Sequence, residues 1–237
     1  MTTHEKETLA LEKSFESKPN LKHPTSTKRK NSIVRIALKL FLEQGYNETS
    51  LRQIAAAADV SPSLIVHYFG TKQALVHVLL DSKLLEVKKT IMRYVDIHEN
   101  PELFCCTTIR LFQTIMSSGS LGQFYHALIE EGLFREFFFY SEGNINSTTL
   151  ILRKRQVDLS PDMFEFYCHY LIPSVEMAIW LSSEDIIPSD EKLDIPFRTL
   201  MKVIDTPTAD VDEYCHQGKI LVNKILDENP ELFRNLE

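Results

Sequence analysis

The chain has 237 residues, 43% hydrophobic and 25% charged, which is enough apolar mass for a buried core under an ordinary polar surface. Seven glycines in the whole chain argue against a turn-rich all-β protein, and no apolar run reaches the roughly 18–20 residues a transmembrane helix needs. The net charge of −7 is unevenly spread: residues 28–72 carry seven Lys and Arg against three Asp and Glu, giving +4, residues 1–27 balance, and the remainder carries −11. A basic segment on an acidic body is the footprint of a polyanion partner at one end of the molecule.

Residues 1–27 show no apolar period, hold Pro19 and Pro24, and alternate Glu with Lys. They predict a flexible N-terminal arm without the apolar stretch of a secretory leader, and therefore a cytoplasmic protein. From Asn31 the pattern becomes helical, with Ile33, Ala37, Leu40 and Phe41 on one stripe and Gly45 as the residue that ends it. The next segment starts at Thr49 or Ser50 as cap and puts Leu51, Ile54, Ala55 and Ala58 on one face, stopping at Asp59–Val60. Ser61–Pro62 then opens a further helix, a hydroxyl cap followed by a proline whose missing N–H is not needed there. That helix carries Leu64, Ile65, Tyr68 and Phe69 and ends at Gly70, after which Thr71 caps a long helix with Leu75, Val78, Leu79, Ser82, Leu85 and Met92 along one stripe.

The remaining pattern is helical as well. Helices are expected from Asn100–Pro101 to Met116, from Ser120 to about Tyr140, over 148–157, from Ser160–Pro161 to about Ser183 with a kink at Pro173, over 191–204 with Pro196 as a possible break, and from Ala209 to about Leu226. Segments 141–147 and 184–190 read as loops. The fold class is all-α.

Two short helices joined at Asp59–Val60 make a helix-turn-helix, whose second helix fits the major groove of DNA. Ile54, Ala55, Val60, Ile65 and Phe69 would lock the two helices together, leaving Ser63, Leu64 and His67 outward and Arg52 and Tyr68 near the flanking backbone. Lys28, Arg29 and Lys30, just before the head, read as a basic arm for a groove or for phosphates, or as a solvated linker.

The run from Gly45 to Ser61, with Gly45–Tyr46, Thr49–Ser50, Arg52 and Ile54–Ala55, resembles the head of the TetR/AcrR family. So does Ser61 to Leu75, with His67–Tyr68–Phe69 and Thr71–Lys72. The resemblance covers about residues 31–80 and implies a three-helix DNA-binding head at 28–75 on a helical ligand-binding and dimerisation domain at 76–237. It implies that Thr49 and Arg52 touch phosphates or the groove edge, that Ser61, Ser63 and Leu64 open the recognition helix, and that His67 and Tyr68 contact bases or phosphates. Lys72 matches the lysine that binds backbone phosphate beside a helix N-terminus. Asp59 stands where glycine is commoner, so the turn relies on the tolerance of Asp for left-handed backbone. Leu64 and Val66 stand where threonine and tyrosine are common, which removes two polar contacts and leaves the operator sequence open.

The same resemblance implies a homodimer on a palindromic operator, acting as a repressor released by a small effector. Its two long helices at 161–183 and 209–226 would pair across the dimer, with Phe164, Tyr167, Leu171, Val175 and Ile179 placed in that seam or in the intrachain core. A pocket for a hydrophobic effector would draw on Phe112, Met116, Phe124, Tyr125, Tyr167, Tyr170, Met177 and Trp180, set against plain core packing for most of them. Cys105–Cys106, Cys168–His169 and Cys215–His216 invite a metal or redox-sensor reading, but neighbours on a helix point about 100° apart, a poor chelating geometry; buried free thiols are the expectation, with no cofactor. No enzyme motif is present. The alternative from another class is a helical protein–protein module whose head has lost specific DNA binding, motivated by the apolar Leu64 and Val66.

Overall fold

The computed structural model describes residues 24–133, 142–181 and 189–234. The proposed arm up to residue 23, Phe137–Phe139, the loop at 184–188 and the side chains of Phe164 and Trp180 lie outside the described residues. Among those described, every regular element is a helix. The head consists of α1 (Pro24–Gln44), α2 (Leu51–Ala57) and α3 (Pro62–Phe69). The body contains α4 (Lys72–Ile91), α5 (Pro101–Met116), α6 (Gly119–Glu130), α7 (Glu142–Lys154), α8 (Pro161–Phe166), α9 (Ile172–Leu181), α10 (Ser189–Lys192), α11 (Ile195–Val203), α12 (Thr208–Glu228) and α13 (Glu231–Arg234).

Local chemistry accounts for most boundaries. Pro101 opens α5, while Gly45 and Gly70 take the left-handed backbone that ends α1 and α3, at φ of 92° and 75°. Pro196, expected as a break, sits in the first turn of α11, where its missing N–H is harmless. Three expectations need correcting. Helix α1 begins at Pro24, so Lys28, Arg29 and Lys30 stand on a helix rather than in an arm. Residues 142–147 belong to α7 and not to a loop. The single long helix from 161 is divided by a π-helical turn at Tyr167–Leu171, where Ile172 N–H reaches back to the Tyr167 carbonyl. Pro173 follows directly and lacks the N–H that a regular helix would require there, which favours a change of hydrogen-bond register at this place.

The α4 stripe also differs from the expected one. Leu75, Val76, Leu79, Leu80, Leu84, Val87 and Ile91 are buried, whereas Val78, Ser82 and Met92 face out. Helix α4 touches α1 and α3 of the head and α5 and α7 of the body, so it is apolar on more than one side and its stripe is ambiguous in sequence. Helix α5 runs through the middle of the body, packed by α4, α6, α7, α11 and, most extensively, α12. Two buried charges on α5 are held by partners: Glu102 takes Lys154 and Arg155 at 3.0 Å each, and Arg110 bonds Asp194 at 2.5 Å and also Asp190.

Candidate nucleic-acid interface

The helix-turn-helix is built from its backbone outward. Ser50 caps α2, its hydroxyl accepting from Gln53 N–H at 3.2 Å while Gln53 Oε1 accepts from Ser50 N–H at 2.7 Å, a reciprocal capping box. At the other end of α2, Asp59 adopts a φ of 51°. Its N–H bonds the Ala56 carbonyl at 3.2 Å and Val60 N–H bonds the Ala55 carbonyl at 3.0 Å, the pair of bonds that defines a Schellman turn. Ser61 then caps α3 by accepting from Leu64 N–H at 3.3 Å, with Pro62 in the first turn. Ile54, Ala55, Ile65 and Phe69 are buried between the helices with Val60 packed against them, which fixes the angle at which α3 is presented.

That angle leaves Arg52, Ser61, Ser63, Val66 and His67 exposed, with Leu64 and Tyr68 half-buried. Lys28 and Arg29 on α1 line a cleft of about 620 Å³ together with Ser32, Asp59, Ser61 and Leu64, so the basic first turns of α1 open onto the start of the recognition helix. Lys30 Nζ lies 5.0 Å from the centre of the Tyr68 ring, a cation–π contact that draws a third positive charge to α3. Seven of the eleven predicted DNA-facing residues, Lys28, Arg29, Lys30, Ser61, Ser63, Leu64 and Tyr68, thereby fall around one cleft and one helix face, with Arg52 and His67 exposed on the same helix pair.

Thr49 and Lys72 behave differently. Thr49 is 1% exposed, and its hydroxyl donates to the Gly45 carbonyl at 2.7 Å while accepting from Gln44 Nε2 at 3.1 Å. The expectation that its side chain reaches phosphate is corrected to a role in closing the α1–α2 turn, because both faces of the hydroxyl are engaged inside the head. Lys72 Nζ donates to the carbonyls of Tyr46 at 2.8 Å and Thr49 at 3.0 Å and sits 4.0 Å from the Tyr46 ring centre. Burial pushes its pKa down, with Glu131 and Glu48 pulling it back up. One of its three N–H donors is left for an anion, beside the start of α4, which Thr71 caps through Ala74 N–H at 3.0 Å.

The head is fastened to the body at α6. Phe41 of α1 stacks on Phe124 at 5.4 Å and 8°, and Asn47 donates to Glu131 at 2.8 Å. Phe124, expected in a pocket, is thus part of the head–body seam. Phe112, Met116 and Tyr125 are buried in the body, with Phe112 edge-on to Tyr125 at 6.3 Å, and Met177 packs partly buried against the same core. Tyr167 is half-buried, whereas Tyr170 is 43% exposed, its ring stacked on Phe166 at 6.2 Å. Of the seam residues, Ile179 is buried within the chain and Leu171 and Val175 are half-buried. No spacing in the sequence singles out Gln113 or Glu176. Both are buried, and burial pushes the Glu176 carboxyl up to about 8 with Gln113 acting the other way.

Residues 33–79 match the family profile described as bacterial regulatory proteins, tetR family. The chain carries a TetR-family DNA-binding head. It is 32% identical over 90 residues to the HTH-type transcriptional regulator HbdR of an Aromatoleum species, covering 38% of this chain and 39% of that protein. It is 44% identical over 50 residues to the HTH-type transcriptional repressor Rv3405c of Mycobacterium tuberculosis, covering 21% of this chain and 27% of the other. The chain thus spans well under half the length of these curated relatives in the matched segments. The crystal structure of RolR in complex with resorcinol resembles the fold at a TM-score of 0.59 and 12% identity, over 80% of this chain and 93% of that one. The head that matches this profile and the described body behind it are built of helices, and the curated relatives that match are named as regulators of transcription. Among the described residues no helix is long and apolar enough to cross a membrane.

Proposed function

We propose that this chain is a ligand-responsive transcriptional repressor that binds a palindromic operator as a homodimer through α1–α3 and is released when a small hydrophobic effector enters the body. The observation that carries the reading is the recognition helix itself: capped at both ends, locked by a buried seam, and presenting Ser63 and His67 beside Arg52, Lys28 and Arg29. Phosphate contacts would come from Arg52, Lys28, Arg29, Lys30 and the remaining donor of Lys72, and base contacts from Ser63, Leu64 and His67. Leu64 and Val66 would meet thymine methyls rather than hydrogen-bonding edges.

Dimerisation would place two recognition helices about 34–36 Å apart on successive major grooves. Ile220, 57% exposed on α12, and the exposed Met163, Phe166 and Tyr170 offer apolar surface for it. Release would be a population shift: an effector that favours one arrangement of the body moves α6, and the Phe41–Phe124 stack carries that movement to the head. The test is fluorescence anisotropy with palindromic duplexes from upstream of the regulated gene, titrated at several salt concentrations. Affinity should fall linearly on a log–log salt plot, with competitor of random sequence binding more weakly. Equal affinity for every duplex, or none at all, would sink the proposal.

A further inference from the structure

Cys106 on α5 and Cys215 on α12 are more than a hundred residues apart in sequence, yet the structure puts their sulfurs and the Asp194 carboxylate within 4.8 Å of one another. Both thiols are buried and reduced. They lie where α12 crosses α5, the most extensive helix contact in the body. One turn beyond Cys215 the helix has Gly218, and a Cβ built there would stand 3.0 Å from Cys106 Sγ. The missing side chain at 218 is therefore what lets the Cys106 sulfur lie flat against α12 beside Cys215.

We infer that Cys106 and Cys215 form a dithiol oxidised by peroxides to a reversible intrachain disulfide that bolts α5 to α12. The disulfide needs the sulfurs to close to about 2.05 Å, a movement that side-chain rotation at the two cysteines supplies from this starting distance. The electrostatics divide the labour between the two sulfurs. The Cys106 thiol hydrogen-bonds Cys215, which holds the Cys215 thiol below its usual range, helped by the guanidinium of Arg198; the same bond and burial keep Cys106 protonated. Cys215 is then the nucleophile. Its thiolate attacks one oxygen of the hydroperoxide, the O–O bond breaks, and the leaving oxygen takes a proton and departs as water, or as an alcohol from an organic peroxide. Cys106 sulfur next attacks the Cys215 sulfenic acid, forming the S–S bond as the S–O bond breaks, and its proton leaves with the hydroxide as a water molecule. Two thiols lose two electrons and the peroxide gains them; a low-molecular-weight thiol reverses the step by exchange.

A divalent metal held by Cys106, Cys215 and Asp194 is the competing use of the same atoms. It is disfavoured by the positive charge already there: Asp194 is bonded by Arg110 at 2.5 Å, and Arg198, bonded to Asp212 at 2.5 Å, bears on Cys215. Those cations support a thiolate and oppose a second cation. Cys105, next in sequence, is engaged elsewhere: burial pushes it up to about 11, and its side-chain partner is Ser147.

The experiment uses the full-length reduced chain, exposed to a small excess of hydrogen peroxide, quenched with an alkylating agent under denaturing conditions and mapped by mass spectrometry. The expected product has lost two hydrogens and yields one linked peptide pair, 106 with 215, that dithiothreitol separates. Cys106→Ser should stop at a dimedone-trappable sulfenic acid on Cys215, and Cys215→Ser should leave Cys106 a thiol. Gly218→Ala, which keeps both thiols, should slow linkage severalfold without changing the alkylation rate of Cys105. Oxidation of Cys105 or Cys168 ahead of Cys215, or a trapped Cys215 sulfenic acid in the unsubstituted chain with no linked peptide, would overturn the inference. So would protection of both thiols from alkylation by stoichiometric Zn(II) in a chain that never forms the disulfide, which would assign the cluster to a metal ion instead.

Discussion

Two of the three donors of the Lys72 ammonium point at the Tyr46 and Thr49 carbonyls, so this lysine joins the α1–α2 turn to the start of α4 before it meets any DNA. Lys72→Ala should therefore weaken DNA binding for all sequences and also destabilise the fold, by about 1–3 kcal/mol, chiefly through the Thr49 carbonyl, since the Tyr46 carbonyl keeps the Thr49 N–H. Arg52→Ala, on an exposed residue, should weaken binding and flatten its salt dependence while changing stability by less than about 0.5 kcal/mol. Chemical denaturation run beside anisotropy separates the two; equal stability losses would show that the Lys72 bonds contribute nothing. Ser61→Ala removes the cap of the recognition helix at a cost of about 1 kcal/mol, read in the same denaturation assay. The sequence was most legible at such positions: Ser50, Ser61, Pro62, Thr71 and the left-handed Asp59 are local signals with local causes. Thr49 misled because a hydroxyl that bonds its own backbone has the same letter as one that bonds phosphate.

At the scale of helices, legibility follows the number of faces a helix buries. Helix α5 was readable from Pro101 to Met116 because its ends are marked, yet nothing in its periodicity announces that Glu102, Arg110 and Gln113 are interior. The partners of Glu102 and Arg110 lie some 50–80 residues away on α7, α10 and the turn before α11, and long-range pairing of that kind leaves no spacing signal. Helix α4 failed differently, since a helix wedged between head and body has no single apolar stripe. The seam on α6 offers a test at this scale. Phe124→Ala deletes one ring of the stack with Phe41 and should cost about 3–5 kcal/mol, as for other buried aromatic truncations. Hydrogen exchange should show α1 protected less than α3, because α3 keeps its own buried seam with α2; uniform loss across the head would count against the seam as its anchor.

Over the whole molecule, the buried Glu176 sets a pH dependence. Its folded pKa of about 8 stands well above the ordinary carboxyl value, so the folded chain holds a proton that the unfolded chain releases. Stability from this group is fully present below the ordinary carboxyl range and declines as pH rises from there to about 8, by about 1.4 kcal/mol per unit at most. Melting temperature measured across that range should fall with pH, and Glu176→Gln should remove most of the slope; an unchanged slope would place the proton elsewhere. The charge division seen in the sequence, a positive head on an acidic remainder, needs no coordinates, whereas the interior occupied by Glu176, Tyr125 and Gln113 exists only once α5, α6 and α9 are packed.

The face-to-face rings of Phe41 and Phe124 also bear on how such proteins can be recombined. A head transplanted from a relative keeps the ring contact and the Asn47–Glu131 bond only where it carries Phe and Asn at these two positions, unless α6 is exchanged with it. The unit to graft when building a chimera with a new operator is therefore the head together with the surface of α6 that it rests on. On the function proposed above, a chimera cut at the start of α4 should keep the DNA affinity of the transplanted head and lose its coupling to the body.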